Sequence, residues 1–212
     1  MTPELRAAFD KVLAVQPARL PPAVQKLLLA PPLKSLDVVA AGDGFALARP
    51  AAAPGVAAQA LVPKLGIKSW RDGGSLNVIH DGVPLAQALQ KILARPTLAQ
   101  RTLAQAWLMS DQPLQVHLSA YLDFADISEA RWLAGPREVR AISQCLRGAS
   151  AASVPGLMPR LQAAALKLVE QLPPRSHVID LACLPDGNLR VLEINPGLTP
   201  REVAALQALQ GP

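Results

Sequence analysis

The spacing of hydrophobic and polar residues predicts several amphipathic helices. Apolar residues recur at helical spacing over residues 3–16, and Thr2 before Pro3 is typical of a helix start. A short helix is expected around Val24–Leu29 in the proline-rich stretch that follows. The same periodicity predicts further helices at 84–96, 97–110, 154–172 and 199–210.

Extended segments alternate with these helices. Residues 36–41 and 44–50 form strand-like runs around a Gly-Asp-Gly turn, and the segment that begins near Gln59 starts as a strand and becomes a glycine-containing loop. Further extended segments are expected at 114–124, in a hairpin over 128–144, and at 176–184 and 189–195. Late hairpins combined with helices indicate the α+β class with a mostly antiparallel sheet.

The last predicted hairpin carries unusual polar residues. Asp186-Gly187 between two strand-like runs indicates a two-residue loop, which would pair Leu184 with Leu189 and Asp180 with Glu193. The Cβ atoms of such a directly opposed pair lie about 5 Å apart. The core-facing residues would be Ile179, Leu181, Leu192 and Ile194.

Two like charges opposite each other on a sheet are destabilising, so a compensating group is expected near Asp180 and Glu193. Asn195 lies two residues beyond Glu193 and therefore shares its face. Two carboxylates and an amide oxygen form a ligand set that suits Mg²⁺. A solvated polar face and a protonated carboxyl pair are the alternatives, and the spacing alone leaves them open.

Composition narrows the class of protein. The 212-residue chain is 50% hydrophobic and 17% charged, which is typical of a globular protein. The net charge is +5, but the basic residues are scattered singly, so no nucleic-acid partner is expected. Cys145 and Cys183 lack metal-binding spacing and are interpreted as reduced thiols. The absence of a signal-peptide pattern and of a long apolar run predicts a cytoplasmic protein without membrane association.

Three blocks of sequence carry a family resemblance. The pattern D-x(5)-D-G-x(5)-E-x-N-P, from Asp180 to Pro196, resembles the magnesium-binding end of ATP-grasp proteins. LVPKLGIKSWRDG (61–73) and EARWLAGPREVRAISQ (129–144) are similar to two segments of the cell division cycle protein 123 family, and all three blocks occur in the family's order. The chain resembles a short, divergent member of that family, with a composition typical of a bacterial protein.

The resemblance implies an ATP-grasp fold, in which two α+β lobes hold a nucleotide in a cleft between them. Residues 1–60 would form an N-terminal helix with a reduced first lobe or linker, and residues 61–212 the domain that binds nucleotide and Mg²⁺. The cofactors would be ATP or ADP and Mg²⁺, and the metal ligands would be Asp180, Glu193 and Asn195.

The same resemblance assigns further nucleotide-site residues. Lys64 and Arg131 would neutralise phosphate and would carry catalysis if the protein is an enzyme. Arg71 and Asp72 match the basic–acidic pair that follows Lys64. The remaining expected nucleotide contacts are Tyr121 near the adenine, Glu129 beside Arg131, and Ser143 with Gln144 at the end of the hairpin.

Two functions agree with this assignment. Eukaryotic family members assist assembly of translation initiation factor two, which implies a nucleotide-dependent protein-binding or assembly factor with a protein client. The alternative is an ATP-dependent carboxylate–amine ligase that works through an acyl phosphate on a peptide or carboxylate acceptor. A degenerate fold that binds no nucleotide ranks third. The sequence does not decide whether the protein is an enzyme.

Overall fold

In the computed structural model, helices alternate with strands along the chain. The described residues are 1–53, 55–65, 68–69, 71–72, 75–97, 100–101, 104, 107, 113–123, 127–135, 139–146 and 156–209. For residues 51, 68, 71, 72, 128 and 141–146 the backbone alone is described. The α-helices are Pro3–Ala14, Pro22–Gln25, Leu85–Leu93, Leu157–Gln171 and Pro200–Ala208.

The strands form antiparallel sheets. They are β1 Pro32–Ala41, β2 Gly44–Leu47, β3 Leu61–Leu65, β4 Lys68–Ser69, β5 Arg71–Asp72, β6 Ser75–Leu76, β7 Gln115–Ala120, β8 Ser128–Ala134, β9 Val139–Leu146, β10 His177–Cys183 and β11 Leu189–Pro196. The five-stranded sheet has the order β2-β1-β7-β3-β4, the four-stranded sheet β11-β10-β8-β9, and β5 pairs with β6. The predicted α+β class with mostly antiparallel sheets is therefore confirmed.

The chain divides into two compact units. One contains Met1–Pro31 with Leu122–Ala205, and the other contains Pro32–Tyr121 with Leu206–Pro212. The predicted domain boundary between residues 60 and 61 stays a prediction.

Helix Leu157–Gln171 covers the four-stranded sheet and packs against β8, β9 and β10. Its apolar residues face inward at helical spacing, as Leu161, Ala165 and Leu168 are buried. The N-terminal helix Pro3–Ala14 packs against β11.

Local sequence signals set the helix starts. Thr2 Oγ1 accepts a hydrogen bond from the Leu5 backbone N–H at 3.3 Å, as the predicted cap requires. Thr97 and Gln100 form a reciprocal capping box, with the Thr97 N–H on Gln100 Oε1 at 2.8 Å and the Gln100 N–H on Thr97 Oγ1 at 3.3 Å. The described residues 100, 101, 104 and 107 that follow are helical.

Two local predictions need correction. The helix expected around Val24–Leu29 begins at Pro22 and ends at Gln25. The Leu29 N–H then donates to the Val191 carbonyl, and the Val191 N–H donates to the Leu27 carbonyl, each at 2.8 Å. The chain thus leaves the helix because residues 27–29 pair with the edge of β11. The loop expected after β3 contains the short strands β4, β5 and β6.

No helix among the described residues combines the length and apolar character needed to cross a membrane.

Candidate functional site

The hairpin of β10 and β11 places Asp180 directly opposite Glu193. This pairing is the one predicted from the sequence. Val178 faces Asn195 in the same ladder, so Asp180, Glu193 and Asn195 all belong to one face of the sheet. The hairpin therefore aligns three oxygen-bearing side chains within neighbouring positions.

The predicted two-residue loop, however, is wrong. The Leu184 N–H donates to the Asn188 carbonyl at 2.9 Å, so the loop contains residues 185–187 and Leu184 does not pair with Leu189. Gly187 has a φ of 79°, as the last residue of a three-residue hairpin loop commonly does. The local Asn188 contacts to Asp186, at 2.9 and 2.7 Å, favour this turn and lower the pKa of the Asp186 carboxyl.

A β-bulge restores the expected pairing. Leu181 faces Val191 and Asp180 faces Glu193, which leaves Leu192 as an extra residue in β11. Leu192 was expected in the core but is half-buried, since the bulge removes it from regular alternation. The other three expected core residues, Ile179, Leu181 and Ile194, are buried.

Asp180 forms a bidentate ion pair with Arg131. Arg131 Nε donates to Asp180 Oδ1 and Arg131 Nη2 donates to Asp180 Oδ2, both at 2.7 Å. The two residues face each other across β8 and β10. The Arg131 side chain is 44% exposed and the Asp180 side chain 2% exposed, so the guanidinium approaches a buried carboxylate from the solvent side.

The field around Arg131 is negative. The pKa of Arg131 is raised chiefly by its hydrogen bonds to Asp180; burial opposes this, while the charges of Asp180, Glu193 and Glu129 add to it. Glu129 lies two residues before Arg131 on β8 and is paired with Ala182. Three carboxylates thus act on one guanidinium, which makes this face attractive to a further cation.

Asn195 supplies the observation that bears most directly on a cation. The residue is 8% exposed, and its Oδ1 atom is buried without a hydrogen-bond partner. A buried carbonyl oxygen without a partner is costly unless something else binds it. Among the described residues, no group of three or more His, Cys, Asp or Glu side chains could hold a metal ion. Together with Asn195, the carboxylates of Asp180 and Glu193 offer three oxygen ligands. This small set agrees with the few protein ligands that Mg²⁺ usually takes.

Strand β9 carries Ser143 and Gln144, two further candidate nucleotide contacts, in the same four-stranded sheet. Ser143 pairs with Arg131 and Gln144 with Ala130. Their side chains lie outside the described part of the chain, so their expected contacts to nucleotide stay predictions.

Lys64 and Tyr121 belong to the other unit. Lys64 on β3 faces His117 on β7 and is half-buried. Tyr121 directly follows β7, where its N–H donates to the Ala60 carbonyl at 2.9 Å and its side chain is 43% exposed. The side chains of Arg71 and Asp72 lie outside the described residues; their backbones form β5.

Two supporting contacts were not predicted from the sequence. The Ser35 hydroxyl and His117 Nδ1 lie 2.7 Å apart beside Lys64. The pKa of His117 is lowered by burial and by the charge of Lys64. At the base of the hairpin, Lys11 Nζ donates to the Gly197 carbonyl at 3.2 Å. Both contacts join distant parts of the chain, although the alternation in VHLSA does indicate that His117 and Ser119 share a face.

Comparison with known proteins identifies the fold. No protein-family model matches the chain, and no curated protein matches it. The solved structure of C-terminally truncated Cdc123 from Schizosaccharomyces pombe matches with a TM-score of 0.60 and 17% identity, covering 95% of this chain and 92% of that chain. A second Cdc123 structure from the same organism matches with a TM-score of 0.58 and 18% identity, covering 88% and 85%.

A D-alanine–D-alanine ligase from Coxiella burnetii has a TM-score of only 0.34 at 14% identity, over 71% of this chain and 40% of that chain. The two Cdc123 matches span most of both chains. The protein therefore has the fold of Cdc123, as the resemblance of its three sequence blocks implied.

Proposed function

We propose that this protein binds ATP or ADP together with Mg²⁺ and acts as a nucleotide-dependent protein-binding or assembly factor. The observation that carries the proposal is the buried, unpartnered Oδ1 of Asn195 on the same sheet face as Asp180 and Glu193. The Cdc123 fold supports it, because the sequence resemblance to that family implies an ATP-grasp nucleotide site.

The metal ligands in this proposal are Asp180, Glu193 and Asn195. When bound, Mg²⁺ would supply positive charge to the nucleotide phosphates, as it does in proteins that hold it through one or two carboxylates. The strand pairing holds Asp180 and Glu193 opposite each other before any ligand arrives. A cation bound by both carboxylates would lower the repulsion between them, which the Arg131 guanidinium on Asp180 already offsets in part.

The remaining candidates would bind the nucleotide itself. Arg131 and Lys64 would neutralise phosphate oxygens, and Glu129 would orient the Arg131 guanidinium. Tyr121 would contact the adenine through its exposed ring, while Ser143 and Gln144 would offer hydrogen bonds. The same Arg131 and Lys64 would be the catalytic residues if the protein transfers phosphate.

Calorimetric titration of ATP and ADP, with and without Mg²⁺, tests the nucleotide part. Binding should require Mg²⁺ and should fall at least about tenfold in Asp180→Asn and in Glu193→Gln, because each removes a charge that the metal needs. Asp186→Asn is the matched control, since Asp186 lies in the exposed loop of the same hairpin. Absence of binding in the wild-type protein would contradict the proposal.

Phosphate release separates the assembly factor from the ligase alternative. An assembly factor should bind Mg²⁺–ATP with slow or no turnover and should gain affinity for a client protein when nucleotide is bound. A carboxylate–amine ligase should instead release phosphate in proportion to an added carboxylate and amine. Phosphate release that depends on both the carboxylate and the amine would contradict the assembly role and support the ligase.

A further inference from the structure

We propose that Arg131 occupies the place of the metal at Asp180 in the nucleotide-free protein, and that Mg²⁺–nucleotide binding exchanges the two cations. Mg²⁺ takes over the Asp180 carboxylate, and the released guanidinium moves to the nucleotide phosphates. This inference rests on the proposed function, whose site it uses. It adds a reason why metal and nucleotide bind together rather than separately.

The geometry of the ion pair makes Arg131 a competitor. Each Asp180 oxygen accepts one hydrogen bond of 2.7 Å from the guanidinium. Asp180 is a buried residue, 2% exposed, so few directions of approach remain. A divalent cation that joined the same carboxylate would lie close to the guanidinium and be repelled by it. Mg²⁺ alone therefore meets an Asp180 that is already neutralised.

The same geometry allows Arg131 to leave. Its side chain is 44% exposed, whereas that of Asp180 is 2% exposed. The guanidinium can therefore rotate away on its own long side chain while β8 and β10 stay paired. Arginine also forms bidentate contacts with phosphate as readily as with carboxylate, so a nucleotide phosphate offers it an equivalent partner.

Charge explains why both ligands are needed. Departure of Arg131 would leave Asp180 opposite Glu193 without the guanidinium, and Mg²⁺ would restore that positive charge and add another. The phosphates would supply the negative charge that holds Arg131 in its new position. Each ligand stabilises the state that the other prefers, which is positive coupling between metal and nucleotide.

Binding of Mg²⁺ without nucleotide tests the competition. We expect calorimetry to give an affinity at least about tenfold higher for Arg131→Met than for the wild type, because a competing unit charge is removed. Thermal unfolding should show a larger upward shift with Mg²⁺ in the variant. Arg140→Met, an exposed arginine on the neighbouring strand, should behave as the wild type. The double variant Arg131→Met/Asp180→Asn should lose the gain.

A second measurement uses the wild-type protein, so it does not depend on the variant folding. In protein labelled with ¹⁵N-arginine, the Arg131 Nε–H signal, assigned with Arg131→Lys, reports its hydrogen bond to Asp180. Mg²⁺ alone should leave this signal in place, and Mg²⁺–ADP should shift it. Equal Mg²⁺ affinity of the wild type and Arg131→Met would overturn the competition.

Failure of the two proposals is distinguishable. A wild type that binds Mg²⁺–ADP without any change at Arg131 Nε–H keeps the nucleotide function and overturns the exchange. A wild type that binds no nucleotide overturns both the proposed function and the movement of Arg131 to phosphate. In that case the Mg²⁺ titration still decides whether the metal and Arg131 compete for Asp180.

Discussion

Both carboxylate oxygens of Asp180 are held by the guanidinium of Arg131, through hydrogen bonds of 2.7 Å from Nε and from Nη2. The two partners differ greatly in exposure, 2% for the Asp180 side chain and 44% for that of Arg131. The energetic consequences of losing either partner are therefore unequal.

Without Mg²⁺, we expect Arg131→Met to lower the free energy of unfolding by about 3 kcal/mol, because it leaves the buried Asp180 carboxylate without a positive partner. Asp180→Asn should cost less, about 1 kcal/mol, because the Arg131 side chain can reach water. Urea denaturation of both variants, with Arg140→Met as the control, measures the difference. Equal losses in the two variants would contradict this account of the pair.

The buried histidines predict a loss of stability in mild acid. The pKa of His117 is lowered from 6.5 by burial and by Lys64. The pKa of His177 is also lowered from 6.5, mainly by burial, although the hydrogen bond to Pro173 opposes the shift and the charges of Arg175 and Lys11 add to it. Below pH 6.5 these histidines therefore bind protons more readily in the unfolded chain than in the folded chain. The free energy of unfolding falls as the pH drops below 6.5.

The limiting slope is about 1.4 kcal/mol per pH unit for each histidine. Urea denaturation at about pH 7.5 and about pH 5.5 should show a smaller loss in His117→Gln and in His177→Asn than in the wild type. The exposed His80→Gln is the control. An unchanged pH dependence in both buried-site variants would show that other groups cause the acid effect.

Glu202 forms an ion pair with Lys11, which lies near the other end of the sequence. Its carboxylate accepts hydrogen bonds from the Thr199 N–H at 2.7 Å and from Lys11 Nζ at 2.8 Å. Burial acts to raise the pKa of Glu202, but the hydrogen bonds from Lys11 and Thr199 outweigh it and lower the pKa below 4.5. The stabilisation is therefore present above pH 4.5 and is lost as the pH falls through the folded-state pKa.

Glu202→Gln should lower the free energy of unfolding by about 1 kcal/mol at neutral pH, since it weakens a helix cap and an ion pair. The difference from the wild type should shrink in acid. Glu170→Gln, an exposed glutamate in helix Leu157–Gln171, provides the matched control. A difference that persists at low pH would place the effect outside the ionised carboxylate.

Gly197 stands where the chain leaves β11, two residues after Asn195. A Cβ atom at Gly197 would lie 2.7 Å from backbone atoms of Ser176, too close to be accommodated without movement. We expect Gly197→Ala to cost about 2 kcal/mol, the range of a small overpacking substitution, and to weaken nucleotide binding by displacing Asn195.

Gly187→Ala is the control that distinguishes displacement of Asn195 from backbone strain in the hairpin. Gly187 has a φ of 79°, but an added Cβ there meets nothing closer than 3.9 Å. Its replacement should cost about 1 kcal/mol and leave nucleotide affinity unchanged. Equal effects of both variants on nucleotide affinity would argue against a specific role for the base of the hairpin.

Much of the local structure could be predicted because its causes lie within a few residues. Thr2 caps the first helix, and Thr97 with Gln100 caps another. The opposition of Asp180 and Glu193 was also predicted, although the loop assumed for it was wrong. That success depended on the bulge at Leu192, which no alternation pattern indicated.

The partner of Asp180 could not be predicted in the same way. Arg131 is 49 positions away in sequence, and the contact depends on β8 lying beside β10 in the order β11-β10-β8-β9. Hydrophobic periodicity specifies which face a residue occupies but not which strand lies next to it. The pairing of residues 27–29 with Val191 is hidden for the same reason.

Because of the extra residue at Leu192, the number of residues between the turn and Glu193 is one larger than the strand pairing requires. Removal of Leu192 would leave Val191 facing Leu181 and Glu193 facing Asp180, because a bulge contributes one residue without a partner. A homologous hairpin without the bulge would therefore carry its glutamate one residue closer to the Asp-Gly turn. Sequence searches that allow this single deletion would detect distant relatives that a fixed-spacing pattern overlooks.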